Sequence, residues 1–448
     1  MKARLPIIRG FALVICLLAS GLPAMAQEAT PVRRTLFTNV NVFDGQHEQL
    51  IANANVLVEG NLIKQVSTEP IGADDAGVID GGGRTLMPGI IGCHEHVMMQ
   101  LPITTLLDSD ERYIAAVATS TAKTYLMNGW TSIRDAAGNT FGLKKAIDQG
   151  FVPGPRIYPS GPMITQTSGH SDHRTFQKPL TPATRGAPTT GMEYFDLALA
   201  DGVPEVLKTV REAMRMGATQ IKIAVGGGTG SYADPLDVVQ YTSEEIEAAV
   251  HAADDYNTYV LAHVYNDKGA QRAIRAGVKS IEHGNLLHEE TLQMMKSKNV
   301  WWCPQVITYT AIPKGYTEDQ AKKHRQAHAG IDDAFKAARK IGYENIGFGT
   351  DIITDPALIA RMNDEFTLRA KWFSNVEILR QATSKNGEIL GLSRRYGPGK
   401  VGVIEQGALA DVLLVDGDPL KDVSILTKPE RNLAVIMKDG IIYKNTLK

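Results

Sequence analysis

The sequence predicts an α/β fold: a (β/α)8 barrel of the TIM type that carries a small composite β-sandwich formed by the N- and C-terminal segments. Apolar strands and amphipathic helices alternate over residues 86–398, which is typical of parallel βα units. Short alternating strands separated by turn residues occupy residues 27–85 and 399–448. Neither terminal piece could bury a core alone, so we expect the two ends to pack together as one β domain.

The first 26 residues differ from the rest of the chain. A basic stretch precedes an apolar run from Phe11 to Leu18, and Ala24-Met25-Ala26 forms an A-x-A cleavage pattern. Residues 1–26 are therefore predicted to be a signal peptide, and the mature protein to be exported to the periplasm or secreted. No later run is apolar and long enough to span a bilayer, so no membrane partner is expected for the mature form.

Composition excludes several classes of protein. The chain has 448 residues and a formal net charge of −2, so no nucleic-acid partner is implied. Beyond the signal peptide the cysteines are Cys93 and Cys303, which cannot form a disulfide framework. Both are predicted to be packed thiols of a globular enzyme.

The strands and helices of the barrel are predicted from apolar patterns bounded by turn and capping residues. Strands are predicted from Leu86 to His96 and at Thr131–Asp135, Arg156–Ser160, Gln220–Val225, Thr258–Val264, Val278–Glu282, Val300–Cys303 and Asn345–Gly349. Helices are predicted at Glu111–Asn128, Pro204–Met216 and Thr242–Tyr256. The last opens with a capping box of Thr242 and Glu245. Eight strands fit the barrel, and the segment Lys178–Gly191 is expected to be a long loop after the third strand.

Two histidines end the first barrel strand. Alternate side chains of a strand share a face, so His94 and His96 are expected to point the same way and to bind one metal ion. Lys222, within an otherwise apolar strand, is a further candidate. His263 and His283 end the fifth and sixth strands, and Asp351 ends the eighth, so these three complete the candidate list.

Each of these residues alone has an ordinary explanation as a core histidine or as a lysine paired with an acid. What favours a metal site is that these six residues fall at the same end of five strands. In barrels of this kind the functional groups lie at the C-terminal ends of the strands.

Five motifs carry a resemblance to a known family. They are Pro88-Gly89-Ile90-Ile91-Gly92-Cys93-His94-Glu95-His96, Lys222, Ala262-His263, Ile281-Glu282-His283-Gly284 and Gly349-Thr350-Asp351. Through them the whole mature chain resembles the metal-dependent amidohydrolase superfamily. Within it the chain is similar to exported imidazolonepropionase-like enzymes of the Xaa-Pro dipeptidase type, and most similar to bacterial amidohydrolases that hydrolyse ochratoxin A. Imidazolonepropionase itself is mononuclear and lacks the strand-four lysine, so Lys222 argues against that activity.

The resemblance implies two divalent metal ions. Imidazole and carboxylate ligands favour Zn²⁺, and Co²⁺ or Mn²⁺ fits the same ligand set. The more buried ion would be held by His94, His96 and Asp351, and the more exposed ion by His263 and His283. Burial lowers the pKa of a lysine. Lys222 is therefore expected to react as a neutral amine with CO2, and its carboxylated form would bridge the two ions.

The same resemblance implies a reaction. Asp351 is expected to relay a proton from the attacking water to the leaving nitrogen, and His170, in the loop after strand three, to help hold the substrate carbonyl. The expected substrates are N-acyl amino acids or peptides with a free C-terminal carboxylate, including ochratoxin A. The alternatives are a cyclic amidase or deaminase of the same superfamily, or a non-catalytic binding protein, which the complete ligand set opposes. A homo-oligomer is also implied.

Three other features receive weaker interpretations. His173 is a less favoured alternative to His170. The segment Gly226–Gly230 is not a phosphate-binding loop and is interpreted as a rim of the substrate pocket, with Tyr232 as a contact. His324 and His328 stand four residues apart, but neighbouring basic residues favour a solvated helix face.

Overall fold

The computed structural model describes residues 32–72, 75–172, 197–231, 234–397 and 399–447. The predicted signal peptide, the predicted loop Lys178–Gly191, His173 and Tyr232 lie outside these ranges. Within them, no helix combines the length and the hydropathy that crossing a bilayer requires.

The two ends of the chain meet in one mixed β-sheet. Its strands are β1 (Arg34–Val42), β2 (Ile51–Glu59), β3 (Leu62–Ser67), β4 (Gly77–Asp80), β5 (Thr85–Pro88), β15 (Val412–Val415), β16 (Leu433–Lys438) and β17 (Ile441–Asn445). Their order is β17-β16-β15-β5-β1-β2-β3, with β4 beside β1. The antiparallel pair β5 and β15 joins the N-terminal strands to the C-terminal ones, with Leu86 opposite Leu414.

The apolar residues of this sheet share one core. Phe37 and Val56 from the N-terminal segment pack in the same buried cluster as Leu414 and Val435 from the C-terminal segment. The prediction of a composite β domain is therefore confirmed, and the alternative of two independent appendages is wrong.

The central part of the chain forms the barrel. Its strands are β6 (Ile90–Glu95), β7 (Trp130–Asp135), β8 (Arg156–Pro159), β9 (Met163–Thr165), β10 (Leu197–Leu199), β11 (Ile221–Ala224), β12 (Val260–Val264), β13 (Ser280–His283) and β14 (Trp301–Cys303). Parallel pairing runs β6-β7-β8 and β10-β9-β11-β12-β13-β14. Strands β8 and β9 follow each other at the third position of the barrel. The backbone amide of Thr219, just before β11, donates to Pro159 O at 2.8 Å and so joins the third position to β11 at the fourth.

The eighth barrel position, residues 345–349, is irregular. Ile346 pairs with Trp302 through an isolated bridge, and the Cys93 amide donates to Phe348 O at 2.8 Å, which closes the barrel onto β6. Glycine permits this contact, since a Cβ on Gly349 would lie 2.9 Å from the backbone nitrogen of His94. The predicted strand Asn345–Gly349 is therefore a barrel position without regular strand pairing.

The helices lie around the barrel, except for the last one, which packs against β16 of the terminal sheet. They are α1 (Ile103–Leu107), α2 (Glu111–Met127), α3 (Phe141–Asp148), α4 (Val203–Met216), α5 (Ser243–Asp255), α6 (Asp267–Arg275), α7 (Glu289–Ser297), α8 (Glu318–Lys340), α9 (Pro356–Ile359), α10 (Asp364–Arg369), α11 (Asn375–Arg380), α12 (Asn386–Gly391) and α13 (Pro429–Asn432). The three predicted helices correspond to α2, α4 and α5, each within one residue at either end. The capping box of Thr242 and Glu245 opens α5 as expected.

Candidate metal centre and active site

The six candidate ligands meet at the carboxyl end of the barrel. They line one cavity and come from β6, β11, β12, β13 and the eighth barrel position: His94, His96, Lys222, His263, His283 and Asp351. All six are buried or nearly so. Parallel strands in a closed barrel deliver their last side chains to the same end, which is why residues far apart in sequence converge here.

The tightest group contains His94, His96 and Asp351. His96 Nε2 lies 3.1 Å from Asp351 Oδ1, and His94 Nε2 lies 3.5 Å from the same oxygen. One ligand atom from each residue falls within 4.8 Å of the others. Imidazole and carboxylate groups at this spacing match the donors of Zn²⁺ and similar cations. This group therefore fits a divalent metal ion.

Two of the candidate ligands have left-handed backbones. Asp351 has a φ of 51° and His283 a φ of 65°, a conformation that costs a residue other than glycine about 1–3 kcal/mol. Surrounding contacts hold both: the Asp351 amide donates to His94 O at 3.0 Å, and Trp302 Nε1 donates to His283 O at 2.6 Å. In this left-handed conformation both side chains face the cavity, just where their segments leave the barrel.

Lys222 has the properties of a reactive amine. It is 2% exposed, and its Nζ lies 3.2 Å from His94 Nε2. Burial lowers the pKa of Lys222 to about 8, so a substantial fraction is neutral near physiological pH. A neutral amine in this place is the form that can react with CO2 and so join the ligand set.

His263 and His283 stand beside the first group. Their ring centroids are 4.5 Å apart, and His283 Nδ1 lies 3.5 Å from Asp351 Oδ2. Burial, and next the neighbouring His170, hold the pKa of His263 well below its usual value. Burial also lowers the pKa of His283 to about 4. Both imidazoles are therefore neutral at pH 7, the state in which histidine binds metals.

The charge of Asp351 is stabilised by its neighbours. Burial alone would raise the pKa of this carboxyl group, but His94, His283 and His96 more than offset that effect and hold the pKa below its usual range. The carboxylate is consequently ionised at neutral pH and able to bind a cation or to accept a proton.

A buried ion pair that the sequence reasoning missed supports His94. Glu282 Oε2 lies 2.6 Å from His94 Nδ1, and Arg134 Nη2 donates to Glu282 Oε1 at 2.8 Å. All three side chains are essentially fully buried. The carboxylate draws the proton of His94 to Nδ1 and leaves Nε2 for the cavity. The available signal was a charged residue within an apolar strand, the same signal that identified Lys222.

His170 reaches the same cavity from the loop after β9. Its ring stacks on His263 with centroids 3.8 Å apart and an interplanar angle of 10°. Its Nδ1 lies 2.8 Å from Ser231 Oγ and 3.0 Å from Asp234 Oδ2. The structure thus places His170 beside the candidate ligands of the more exposed ion.

The rest of the cavity lining is of two chemical kinds. Some of its side chains are apolar: Met99, Ile103, Met163 and Ile353. Others carry hydroxyl or amide groups: Thr229, Tyr265, Tyr316, Gln320 and Thr354. Apart from Lys222, the described lining residues include no lysine or arginine. The segment Gly226–Gly230 contributes Thr229 and Gly230 to the lining, which agrees with its interpretation as a rim.

Part of helix α8 is more buried than the sequence predicted. His324 is 3% exposed and Lys323 is 6% exposed, so the predicted solvated face is wrong for both, although His328 is exposed. His324 Nε2 lies 2.9 Å from Ala311 O, in the chain that follows β14. The burial arises because that chain and the rim segment pack over this part of the helix.

The two cysteines are free and buried, as predicted.

The barrel and its donor set define a metal-dependent hydrolase. A sequence profile of the Amidohydrolase family matches residues 85–442. The chain belongs to this family and is an enzyme that hydrolyses amides.

Relatives of known structure or activity agree with this assignment. The ochratoxinase of Aspergillus niger is 30% identical over 379 residues, which cover 80% of this chain and 75% of the relative. The crystal structure of A. niger ochratoxinase has a TM-score of 0.81 at 27% identity, covering 93% of this chain and 96% of that one. A prolidase complexed with N-methylphosphonate-L-proline has a TM-score of 0.85 at 33% identity, with coverages of 92% and 100%. A Xaa-Pro dipeptidase with methionine bound in its active site has a TM-score of 0.80 at 29% identity, with coverages of 92% and 100%.

Proposed function

We propose that the protein is an exported hydrolase with a binuclear metal centre, which cuts the amide bond of N-acyl amino acids or peptides that end in a free carboxylate, ochratoxin A among them. The observation that carries the proposal is the convergence of the six candidate ligand side chains on one cavity. The names of the relatives support the substrate class, since ochratoxinase and the two dipeptidase-type enzymes are all similar to this chain over most of its length.

In this proposal the residues divide between two cations, Zn²⁺ being favoured. His94, His96 and Asp351 would hold one ion, His263 and His283 would hold the other, and a carboxylated Lys222 would be shared between them. When bound, such a centre lowers the pKa of a coordinated water and polarises a carbonyl group. Imidazoles kept neutral by burial and a lysine pKa of about 8 support this arrangement.

Asp351 and His170 take the catalytic roles. Asp351 accepts a proton on a carboxylate oxygen from the attacking water and delivers it to the amide nitrogen as the carbon–nitrogen bond breaks. Its position among three histidines supports this role, and its lowered pKa keeps the carboxylate ionised, which is the form that can accept a proton. His170 contacts the substrate carbonyl group from the side of His263, on whose ring it stacks.

The lining of the cavity supports a substrate whose C-terminal residue is apolar and carries the free carboxylate. The methionine and isoleucine side chains can contact an aromatic or aliphatic side chain, while Thr229, Tyr316 and Gln320 can donate hydrogen bonds to the carboxylate. We further propose that residues 1–26 are removed on export, so that the mature chain begins at Gln27, and that the mature protein is a homo-oligomer.

The test is a substrate panel measured with Zn²⁺-reconstituted mature protein. The panel contains N-acyl amino acids, Xaa-Pro dipeptides, ochratoxin A, the C-terminally amidated form of each, a cyclic imide and an aminopurine nucleoside. We expect hydrolysis of the free acids with apolar terminal residues, and at least about tenfold lower kcat/KM for the amidated forms, as expected when a polar partner is lost. Equal turnover of free and amidated forms would exclude carboxylate recognition, and turnover of the imide or nucleoside alone would favour the cyclic amidase or deaminase.

A further inference from the structure

A rim segment after β11, residues 226–231 with residues 234 and 235, covers the His170 side of the cavity. Gly228 is essential to this packing, since a Cβ at that position would lie 2.0 Å from His170 Cε1. Two side chains of helix α8 donate hydrogen bonds to the backbone of this segment. Gln320 Nε2 donates to Gly230 O at 2.5 Å, and Lys323 Nζ donates to Ser231 O at 2.7 Å. The segment is therefore held against His170 on one side and against α8 on the other.

The His170 ring is fixed at one nitrogen and on one face. Nδ1 faces both Asp234 Oδ2 and Ser231 Oγ, at 3.0 and 2.8 Å, while the ring stacks on His263. The backbone amide of His170 donates to Gln240 Oε1 at 3.0 Å. Because Nδ1 is engaged, Nε2 is the ring nitrogen that remains for a molecule in the cavity.

Asp234 is a buried carboxylate with several partners. Its side chain is 1% exposed, and its Oδ2 also accepts a hydrogen bond from the Gly228 amide at 2.7 Å. Lys323 Nζ lies 3.9 Å from Asp234 Oδ1, and the lysine side chain is 7% exposed. A buried carboxylate is strongly unfavourable unless it is paired and hydrogen-bonded. Through Asp234 this pair contacts the ring of His170.

We propose that Asp234 is a positioning residue, which holds the His170 ring on His263 and thereby directs Nε2 to the substrate. Lys323 balances the charge of Asp234 and anchors the segment that carries it. The inference rests on the proposed function, in which His170 contacts the substrate carbonyl group.

The deciding experiment is a double-mutant cycle on Zn²⁺-reconstituted protein with its best amide substrate. Asp234→Asn is expected to lower kcat/KM about 10- to 100-fold, the usual effect of removing an outer hydrogen-bond partner, with metal content unchanged. In a His170→Asn background the same substitution should change kcat/KM less than about twofold, since residues that act as a unit are not additive. Asp237→Asn, an exposed carboxylate in the following turn, is the matched control and should have no effect in either background.

Equal losses in both backgrounds would overturn the inference, because Asp234 would then act without His170. If Asp234→Asn does not fold, Asp234→Asn with Lys323→Met removes both buried charges and enters the same cycle. If the wild type hydrolyses none of the amides, the proposed function has failed, and the crystal structure of Asp234→Asn decides: a displaced His170 ring supports the inference and an unmoved ring overturns it.

Discussion

Glu95 accepts a hydrogen bond from the backbone amide of Thr350 at 2.9 Å and a second one from the Thr350 hydroxyl. Glu95 lies between His94 and His96 in the sequence, and Thr350 immediately precedes Asp351. The same carboxyl group accepts from Tyr125 Oη at 2.9 Å, and burial raises the pKa of Glu95 to about 8. The first and eighth barrel positions are thus tied together through a side chain that is not itself a candidate ligand.

Removing this contact should destabilise the barrel and loosen the metal group. Glu95→Ala is expected to lower the free energy of unfolding by about 2–4 kcal/mol, because it leaves a cavity and a buried unpaired amide. Glu95→Gln keeps the shape and one acceptor oxygen, so its loss should be about half as large. Urea denaturation of the metal-free proteins measures both changes. An unchanged free energy of unfolding in Glu95→Gln would show that the hydrogen bonds to Thr350 do not stabilise the fold.

Lys222 is expected to be necessary for metal retention. Lys222→Ala should reduce bound metal from about two ions per chain to one or none and abolish amide hydrolysis, because the bridging carboxylate disappears. Lys222→Arg, which keeps a positive charge but cannot add CO2, should behave in the same way. Metal analysis of protein purified without chelators gives the result. Full metal occupancy in the alanine variant would refute the bridging role.

The lowered pKa of Lys222 predicts how reconstitution depends on pH. The neutral amine becomes more abundant as pH rises through the folded-state pKa of about 8, and only the neutral form adds CO2. At fixed dissolved CO2 and Zn²⁺, the initial rate at which metal-free protein regains activity should rise about tenfold per pH unit below pH 8 and level off above it. A rate that keeps rising to pH 10 would indicate a lysine with an ordinary pKa.

Asp351→Asn should separate metal binding from proton transfer. The amide keeps the shape and one ligand oxygen but cannot take up a proton, so metal should remain while kcat falls by about 10²–10⁴, the usual contribution of general acid–base catalysis. The loss should shrink for esters or activated anilides, whose leaving groups need less protonation. Near-normal kcat on an ordinary peptide with full metal occupancy would move the proton transfer to another group.

The features that the sequence predicted depend on local pattern. Strand alternation put His94 and His96 on one face, and a lysine within an apolar strand marked Lys222. The capping box placed the start of α5 to within one residue. Barrel topology then supplied the convergence, since parallel strands must end at the same rim.

The features that it did not predict depend on contacts between distant segments. Arg134 and Glu282 are 148 residues apart, and neither strand alone shows that the pair orients His94. Lys323 lies in a basic stretch that resembles a solvated face, and only the packing of the rim segment buries it. The eighth barrel position lacks regular strand pairing because its glycines approach β6 more closely than side chains would permit. These outcomes are set by tertiary packing, which local periodicity does not encode.

The most direct test of the proposed binuclear centre is a metal titration followed by activity. Metal-free protein would be titrated with Zn²⁺ at pH 8 in the presence of bicarbonate, and hydrolysis of an N-acyl phenylalanine would be measured at each ratio. We predict that kcat rises until two equivalents per chain are bound and then stays constant, with two ions recovered by metal analysis. Full activity at one equivalent, or in the absence of bound metal, would contradict a binuclear amide hydrolase.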